Sequence, residues 1–350
     1  MNIISCILSF FLLCILNSCA NPNSHWMNDS YSKIKDNSIF NVTIPGSYIS
    51  NAYNITKNSS ICLGEVSLQS LSENSLIYQK LISSNDESKL EYFYNKLNVQ
   101  DSDILSQLNS GIRYFDIRIC KQINKYYTSN FYLTDNLDSI IQNIVNFLQS
   151  NDKEIVLIDF DNNLRSEIGY MDENEINAFY IYLKNSLNNL IVTKSMMNYK
   201  IEDLIKSNKR VILISSNPTL KSYDEVWDRD IIVNYPSPPN IMIKELTLIK
   251  NSLNLSYKIN EPIFNIIPVY SEISISTLTD TIDEYQKSLI TDTLKQNIKT
   301  MPAIIVTDKN LSSRLINIIT SVSKIKNSNL LSKFIDPIND LIEPENNVIE

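Results

Sequence analysis

EIVLIDF, residues 154–160, is a nearly unbroken apolar run. A strand with one wet face alternates apolar and polar residues, whereas a strand covered on both faces has no reason to alternate. Residues 154–160 therefore read as a strand inside a parallel sheet. RVILIS (210–215), IFNIIPVY (263–270) and AIIVTD (303–308) have the same character. IFNVTI (39–44), IRYFDIRIC (112–120) and DIIVNY (230–235) complete a set of seven strand-like runs.

Between these runs apolar residues recur at helical spacing. In LDSIIQNIVNFLQ (137–149), Leu137, Ile140, Ile141, Ile144, Val145 and Leu148 share one face, and ENEINAFYIYLKNSL (173–187) carries another stripe. Further helical patterns lie near 285–299 and 311–322. Repeated strand-then-helix order predicts an α/β protein, a (β/α) barrel, closed or slightly open, in a single domain, with its chemistry where the strands end. The stretch 50–106 is long for a first crossover and reads as a helical insertion, with ESKLEYFYNKL (87–97) as one helix.

At 350 residues, 43% apolar and 20% charged, the chain can bury a sizeable core. Its formal net charge of −8 argues against a nucleic-acid backbone or an anionic membrane surface as an electrostatic partner. Lipid contact then needs another driving force, and the amino end supplies one. IISCILSFFLLCIL is a 14-residue apolar run, short of the roughly 20 residues a spanning helix needs, and residues 1–20 read as an export signal. Leu16, Asn17, Ser18 and Cys19 resemble the box that precedes lipidation in bacterial lipoproteins, which would leave Cys19 as a lipid anchor at the cell surface or outer membrane. Ser18 and Ala20 equally satisfy the small-x-small pattern of ordinary signal cleavage, so plain secretion stands beside the lipoprotein reading. Cys62 and Cys120 remain, either as one disulfide or as two buried thiols. No CxxC or Cys/His cluster indicates zinc.

GIRYFDIRI (111–119) sets Asp116 and Arg118 two residues apart, on one side of a strand, which points both into a lumen near its mouth. A buried arginine needs a carboxylate partner or an anionic ligand, so the pair reads as a structural ion pair or as an anion site. DFDNN (159–163) opens like a calcium loop, but Leu164 stands where the sharp turn requires Gly and Tyr170 where the bidentate Glu belongs, and that motif is rejected. Asp308 ends the last strand, as a mouth residue or a helix N-cap.

HWMNDSYSKIKDNSIFNVTIPGSY, QLNSGIRYFDIRI and FLQSNDKEIVLIDF, in that order, resemble the X domain of phosphatidylinositol-specific phospholipase C, closest to its small bacterial and X-domain-only members. The resemblance covers residues 25–165 well and the rest weakly, through VILIS, Trp227 and AIIVTD. It implies an irregular TIM-type barrel over 25–322 followed by a C-terminal extension, 323–350. It also implies a reaction in which the inositol 2-hydroxyl attacks phosphorus and diacylglycerol leaves. One histidine serves as base, a second as acid, and the arginine of Asp-Ile-Arg steadies the phosphorane charge. Asp116 and Arg118 match that last motif. The base position falls on Tyr48, followed by Ile49 where an acidic residue is common, and the acid position falls on Asn130, or on Ser129 beside it.

The chain contains one histidine, His25, ahead of the first strand. A tyrosine of ordinary pKa near 10 would need a shift of roughly three units to act as a base at neutral pH, and an asparagine cannot deliver a proton as an acid. The first expectation is an exported phospholipase-like protein, catalytically impaired, that still binds a phosphoinositol or phosphodiester headgroup through Arg118. The second is a surface scaffold whose 50–106 insertion makes protein contacts. The third is a phosphodiesterase of altered chemistry in which Asp116, Asp161 and Asp308 hold calcium, as some family members do.

Overall fold

The computed structural model describes residues 23–66, 83, 87–161, 163–234, 264–269 and 304–307. The segment 1–20 with Cys19, the patterns near 285–299 and 311–322, Asp308 and the extension 323–350 lie outside the described residues. Helices α1 (Trp26–Asp29) and α2 (Tyr31–Ile34) precede β1 (Ile44–Ser47). The first crossover carries α3 (Leu63–Val66), α4 (Glu87–Leu97) and α5 (Ile104–Ser110). Next come β2 (Tyr114–Asp116), β3 (Ile119–Gln122), β4 (Lys125–Asn130), β5 (Tyr132–Asn136) and α6 (Leu137–Ser150). They lead to β6 (Val156–Asp159), β7 (Leu164–Ser166), β8 (Gly169–Tyr170) and α7 (Glu173–Leu187). The remaining elements are α8 (Ile201–Lys206), β9 (Val211–Ser215), β10 (Val226–Asp228), β11 (Ile232–Asn234), β12 (Phe264–Val269) and β13 (Ile304–Thr307).

Eight strands lie parallel in the order β10-β9-β6-β2-β1-β13-β12-β11. That is the sequence met on walking round a barrel, with β1 beside β13. The seam falls between β10 and β11, which do not pair among the described residues. The architecture is the expected irregular α/β barrel type, open at one seam.

The wall explains the unbroken apolar runs. Val156 and Ile158 of β6, with Val211 and Leu213 of β9, pack outward against α6 and α7, while Leu157, Ile212 and Ile214 pack inward with Ile44, Tyr114 and Ile304. Both faces are dry, so both are written in apolar residues. Gly46 answers to the same crowding, since a Cβ there would stand 2.9 Å from Tyr114 and 3.1 Å from both Ile304 and Val306. The helices are held by their own caps: Asp172 accepts from the Glu175 amide, Glu175 answers to the Asp172 amide, and Asn136 accepts from the Asp138 amide.

α1 closes the amino end of the barrel. Trp26, fully buried, donates its indole N–H to the Gly111 carbonyl at 2.9 Å. Beside it Arg113 and Glu154, both fully buried, pair at 2.8 Å. Arg113 also donates to the carbonyls of Leu108, Ile112 and Ser24, and Glu154 accepts from the Asn28 amide. Burial lowers the Arg113 pKa, and the Glu154 charge opposes that loss.

Two strand expectations need correcting. Residues 39–41 form a 3-10 turn, closed by the Asn41 amide on Ser38 and the Val42 amide on Ile39, and the strand begins at Ile44. The run 112–120 is two strands rather than one. The Ile117 amide still bonds to Asp159 in the barrel, but the Ile119 amide turns to Asn163 and the Arg118 carbonyl accepts from the Ser129 amide. The chain thereby leaves the barrel at Arg118 and enters a second sheet, ordered β5-β4-β3-β7-β8. β10, only three residues long, is the eighth strand and gave too short a run to read.

Candidate active site at the carboxyl ends of the strands

Tyr114 and Asp116 occupy alternate positions on β2, and Leu157 and Asp159 occupy the partner positions on β6. Tyr114 and Leu157 belong to the inner packing, so Asp116 and Asp159 stand side by side at the carboxyl end on the same face. Asp159 is fully buried and accepts three hydrogen bonds: Tyr114 Oη at 2.6 Å, Arg229 Nε at 2.8 Å and the Asp161 amide at 2.8 Å. Burial works against the Arg229 charge, yet Asp159 and its neighbours raise Arg229 above the ordinary arginine range. Burial likewise drives the Tyr114 phenol well upward, and the Asp159 charge adds to it, so Tyr114 stays a protonated donor.

Asp116 accepts from the Ile49 amide at 3.2 Å. Desolvation by the surrounding wall pushes its carboxyl up to about 6, against the downward pull of Arg118. Arg118, two residues on, is not beside Asp116 on one strand as expected, because the strand breaks between them. Its Nη1 donates to Asn130 Oδ1 at 3.2 Å, and its buried Nε has no acceptor. No described carboxylate lies within 4.0 Å of the guanidinium, so the structural ion pair is not what forms. Asn130, at the end of β4, is fixed on its other side by donating to the Leu97 carbonyl at 2.7 Å.

Tyr48 follows β1. Its amide donates to the Thr307 carbonyl at 2.8 Å and its own carbonyl accepts from Gln100 at 2.6 Å. Its ring packs between the barrel interior and an outer cluster of Ile49, Ile55, Phe93, Leu97 and Phe131. Ile49 is 4% exposed and holds a left-handed φ of 38°, so it is tucked beneath α4 rather than turned to the mouth. Tyr48, Asp116, Arg118 and Asn130 thus come together at one end of the barrel, bridged by Ile49 and the α4 end. His25 lies at the opposite end with Ser24 and Asp29.

Asp161 belongs to another constellation. Its carboxylate accepts from Ser216 Oγ at 2.6 Å and faces Arg229 at 3.6 Å, while its carbonyl accepts from Ser215 Oγ. Among the described residues no three His, Cys, Asp or Glu side chains gather as cation ligands, and Asp308, the third carboxylate of the expected calcium set, lies outside them. Cys62 and Cys120 are joined as a disulfide, which resolves the alternative left open above. Asp159, Tyr114 and Arg229 were not singled out from sequence. The signal was present in the shared two-residue period of RYFD and VLID, but it becomes readable only once β2 and β6 are known to be in register.

A parallel barrel with a cluster of carboxylates and arginines at its carboxyl mouth belongs to the broad class of α/β-barrel proteins whose chemistry sits where the strands end. Comparison narrows the class. No family model matches the chain. A PI-PLC X-box domain-containing protein of Dictyostelium discoideum is 28% identical over 142 residues, 40% of this chain and 17% of that protein. Human PI-PLC X domain-containing protein 1 is 25% identical over 147 residues, 40% of this chain and 42% of the relative. The 1-phosphatidylinositol phosphodiesterase of Listeria monocytogenes is 27% identical over 124 residues, 35% of this chain and 37% of the enzyme. The matched stretches therefore span less than half of these relatives. A variant of phosphatidylinositol-specific phospholipase C from Staphylococcus aureus superposes with a TM-score of 0.58 at 17% identity, covering 86% of this chain and 98% of that one. The enzyme of that name from Listeria monocytogenes gives 0.57 at 14% identity, with the same coverage. The chain resembles the PI-PLC X-domain proteins in sequence and shares the fold of the bacterial phospholipases.

Proposed function

We propose that this chain is an exported phosphatidylinositol phospholipase C-like protein that holds a phosphoinositol or related phosphodiester headgroup at the mouth and has lost ordinary hydrolysis. The observation that carries the reading is the state of Arg118, a cation at the mouth with a neutral amide for its neighbour and no described carboxylate within 4.0 Å. Such a group has donors to spare for an anion. The loss of hydrolysis is supported by the chemistry of the positions that the resemblance assigns to base and acid. General base and general acid each contribute about 10² to 10⁴ in rate. Tyr48 and Asn130 are poor substitutes for either, and the chain's one histidine sits at the far end. Anchoring through a lipidated Cys19 is part of the same proposal.

The test pairs two measurements on the purified protein: calorimetric binding of glycerophosphoinositol, and release of diacylglycerol from phosphatidylinositol with calcium and with chelator. Binding without turnover supports the reading. Turnover at a rate near that of a working phospholipase overturns the loss of hydrolysis, and failure to bind overturns the headgroup.

A further inference from the structure

Among the described residues, eight large apolar side chains stand exposed, and four of them lie on α3, β8 and the two linked turns of the second sheet. Ile123 is 76% exposed at the β3–β4 turn, Ile168 is 71% exposed at the β7–β8 turn, and Leu63 and Tyr170 stand beside them. The Ile123 amide donates to Glu167 Oε1 at 2.6 Å, which ties one turn to the other. The Leu63 amide donates to Gln122 Oε1 at 3.1 Å, which ties α3 to the first turn. Below them the edge is built stiffly. The Cys62–Cys120 disulfide and the Glu65–Arg165 pair at 3.3 Å hold the α3 segment against β3 and β7, and the Tyr170 ring of β8 lies 3.7 Å from the Arg165 guanidinium. Gly64 lies so close that a Cβ would come within 2.1 Å of the Ser166 carbonyl oxygen.

Ile123 is unfavourable where it stands on two counts. It is a large apolar side chain in water, and it is β-branched at a left-handed φ of 51°, followed by Asn124 at 56°, in a turn that favours Asn and Gly. A residue that is both strained and exposed points to a role outside the fold.

We propose that the Ile123 and Ile168 tips, flanked by Leu63 and Tyr170, enter the interfacial region of a lipid bilayer. The exposed apolar area is roughly a few hundred Å², short of the about 800 Å² per partner that a stable protein interface buries. Near the tips Glu65 pairs with Arg165 and Lys121 with Glu175, while Glu167 folds back to accept from the Ile123 amide. Lys125, two residues past Ile123, forms no ion pair among the described residues and is placed to lie along the headgroups while its stem follows the apolar tip. β3 starts one residue after Arg118 and β4 returns to Asn130, so the tip stands roughly 15 Å from the mouth at about 3.3 Å per residue. This surface does not depend on headgroup binding at Arg118.

The experiment uses the full chain with Ile168→Trp and vesicles of phosphatidylcholine, with and without phosphatidylinositol, in which the acyl chains are brominated. Trp26 and Trp227 are fully buried and give a constant background. The expected result is a blue-shifted emission on vesicle addition, quenched by bromine. Most of that quenching should be lost when Ile123→Asp is added and kept when Ile181→Asp, on α7, is added instead. A tip tryptophan that stays unshifted and unquenched overturns the proposal, even where the amino-terminal apolar run holds the protein on the vesicle. An emission shift that grows with protein concentration in lipid-free buffer also overturns it, in favour of self-association. Tip quenching that persists in an Arg118→Ala background without headgroup binding separates this surface from the mouth.

Discussion

Arg118 Nη1 donates to the carboxamide oxygen of Asn130 at 3.2 Å, and the buried Nε of the same guanidinium has no acceptor. The amide brings no counter-charge, and Asp116 acts on the guanidinium only from beyond 4.0 Å, so donors remain for an anion. Arg118→Ala should therefore weaken glycerophosphoinositol binding roughly 10- to 100-fold, the value of one or two charge-assisted hydrogen bonds. Thermal unfolding should move little, because no ion pair is broken. Arg118→Lys should recover only part of the affinity, since a point charge cannot reproduce the planar fork. Calorimetry that finds the Ala variant binding as tightly as the native chain would remove Arg118 from the site.

Asp116 sets a pH dependence of known sign. Its folded pKa of about 6 lies above the ordinary 3.8, so the folded state holds the proton more tightly than the unfolded chain. Its contribution to stability is present in full below 3.8 and is lost as pH rises through about 6. Asp116→Asn should thus raise the unfolding midpoint at pH 7 and change it little at pH 4. The same charge competes with an anion for Arg118. Binding of a phosphodiester, which keeps one negative charge throughout, should tighten several-fold as pH falls from about 7 to about 5. A native affinity that is flat across that window, or a slope unchanged by Asp116→Asn, would refute the assignment.

The barrel was legible because both faces of its strands are dry, so EIVLIDF and RVILIS could hardly be anything else. The placing of Asp116 near the mouth followed from the same period. What sequence could not show was the exit of the chain at Arg118, because IRYFDIRIC stays apolar and alternating across the point where its hydrogen bonds change partners. The Asp159, Tyr114 and Arg229 cluster needs the register of β2 against β6 and the return of the chain at β10, both of which are tertiary facts. The disulfide joins residues 58 apart and depends on how the insertion folds back on β3.

Glu154 is the counter-charge of a fully buried arginine at the amino end. Its removal leaves Arg113, fully buried, without a counter-charge. Glu154→Ala should cost about 3–5 kcal/mol in urea unfolding, whereas Arg113→Met with Glu154→Leu should recover much of that loss. An alanine variant within about 1 kcal/mol of native would show that the carbonyls of Leu108, Ile112 and Ser24 alone can hold the guanidinium.

The Cys62–Cys120 bond closes a loop of 58 residues that includes most of the insertion. Cys62→Ser with Cys120→Ser should lower stability by about 4 kcal/mol on loop-closure grounds. The loss should fall on α3 and the edge it shares with β7 and β8, and hydrogen exchange of the Leu63 and Met171 amides can locate it. Uniform loss of protection across β6 and β9 would instead mean that the bond supports the barrel itself.

Placing histidines at positions 48 and 130 is the most demanding test of the proposed loss of hydrolysis. Tyr48 sits between the barrel interior and the outer cluster, and Asn130 already touches Arg118, so both positions border the mouth. An imidazole at 130 keeps one nitrogen near Arg118 but gives up the amide donor to Leu97, and an imidazole at 48 is smaller than the phenol it replaces. Ile49, buried under α4, cannot orient the new base as an acidic residue would. Tyr48→His with Asn130→His should therefore regain measurable release of diacylglycerol, by at least about 10², the lower bound for one general acid or base, yet remain well below a working enzyme. Adding Ile49→Asp should raise it further if the base needs orienting, at some cost in stability from the acid placed in an apolar cluster. A double histidine variant that folds, binds headgroup and still shows no turnover would mean that the two positions are not those of the base and acid.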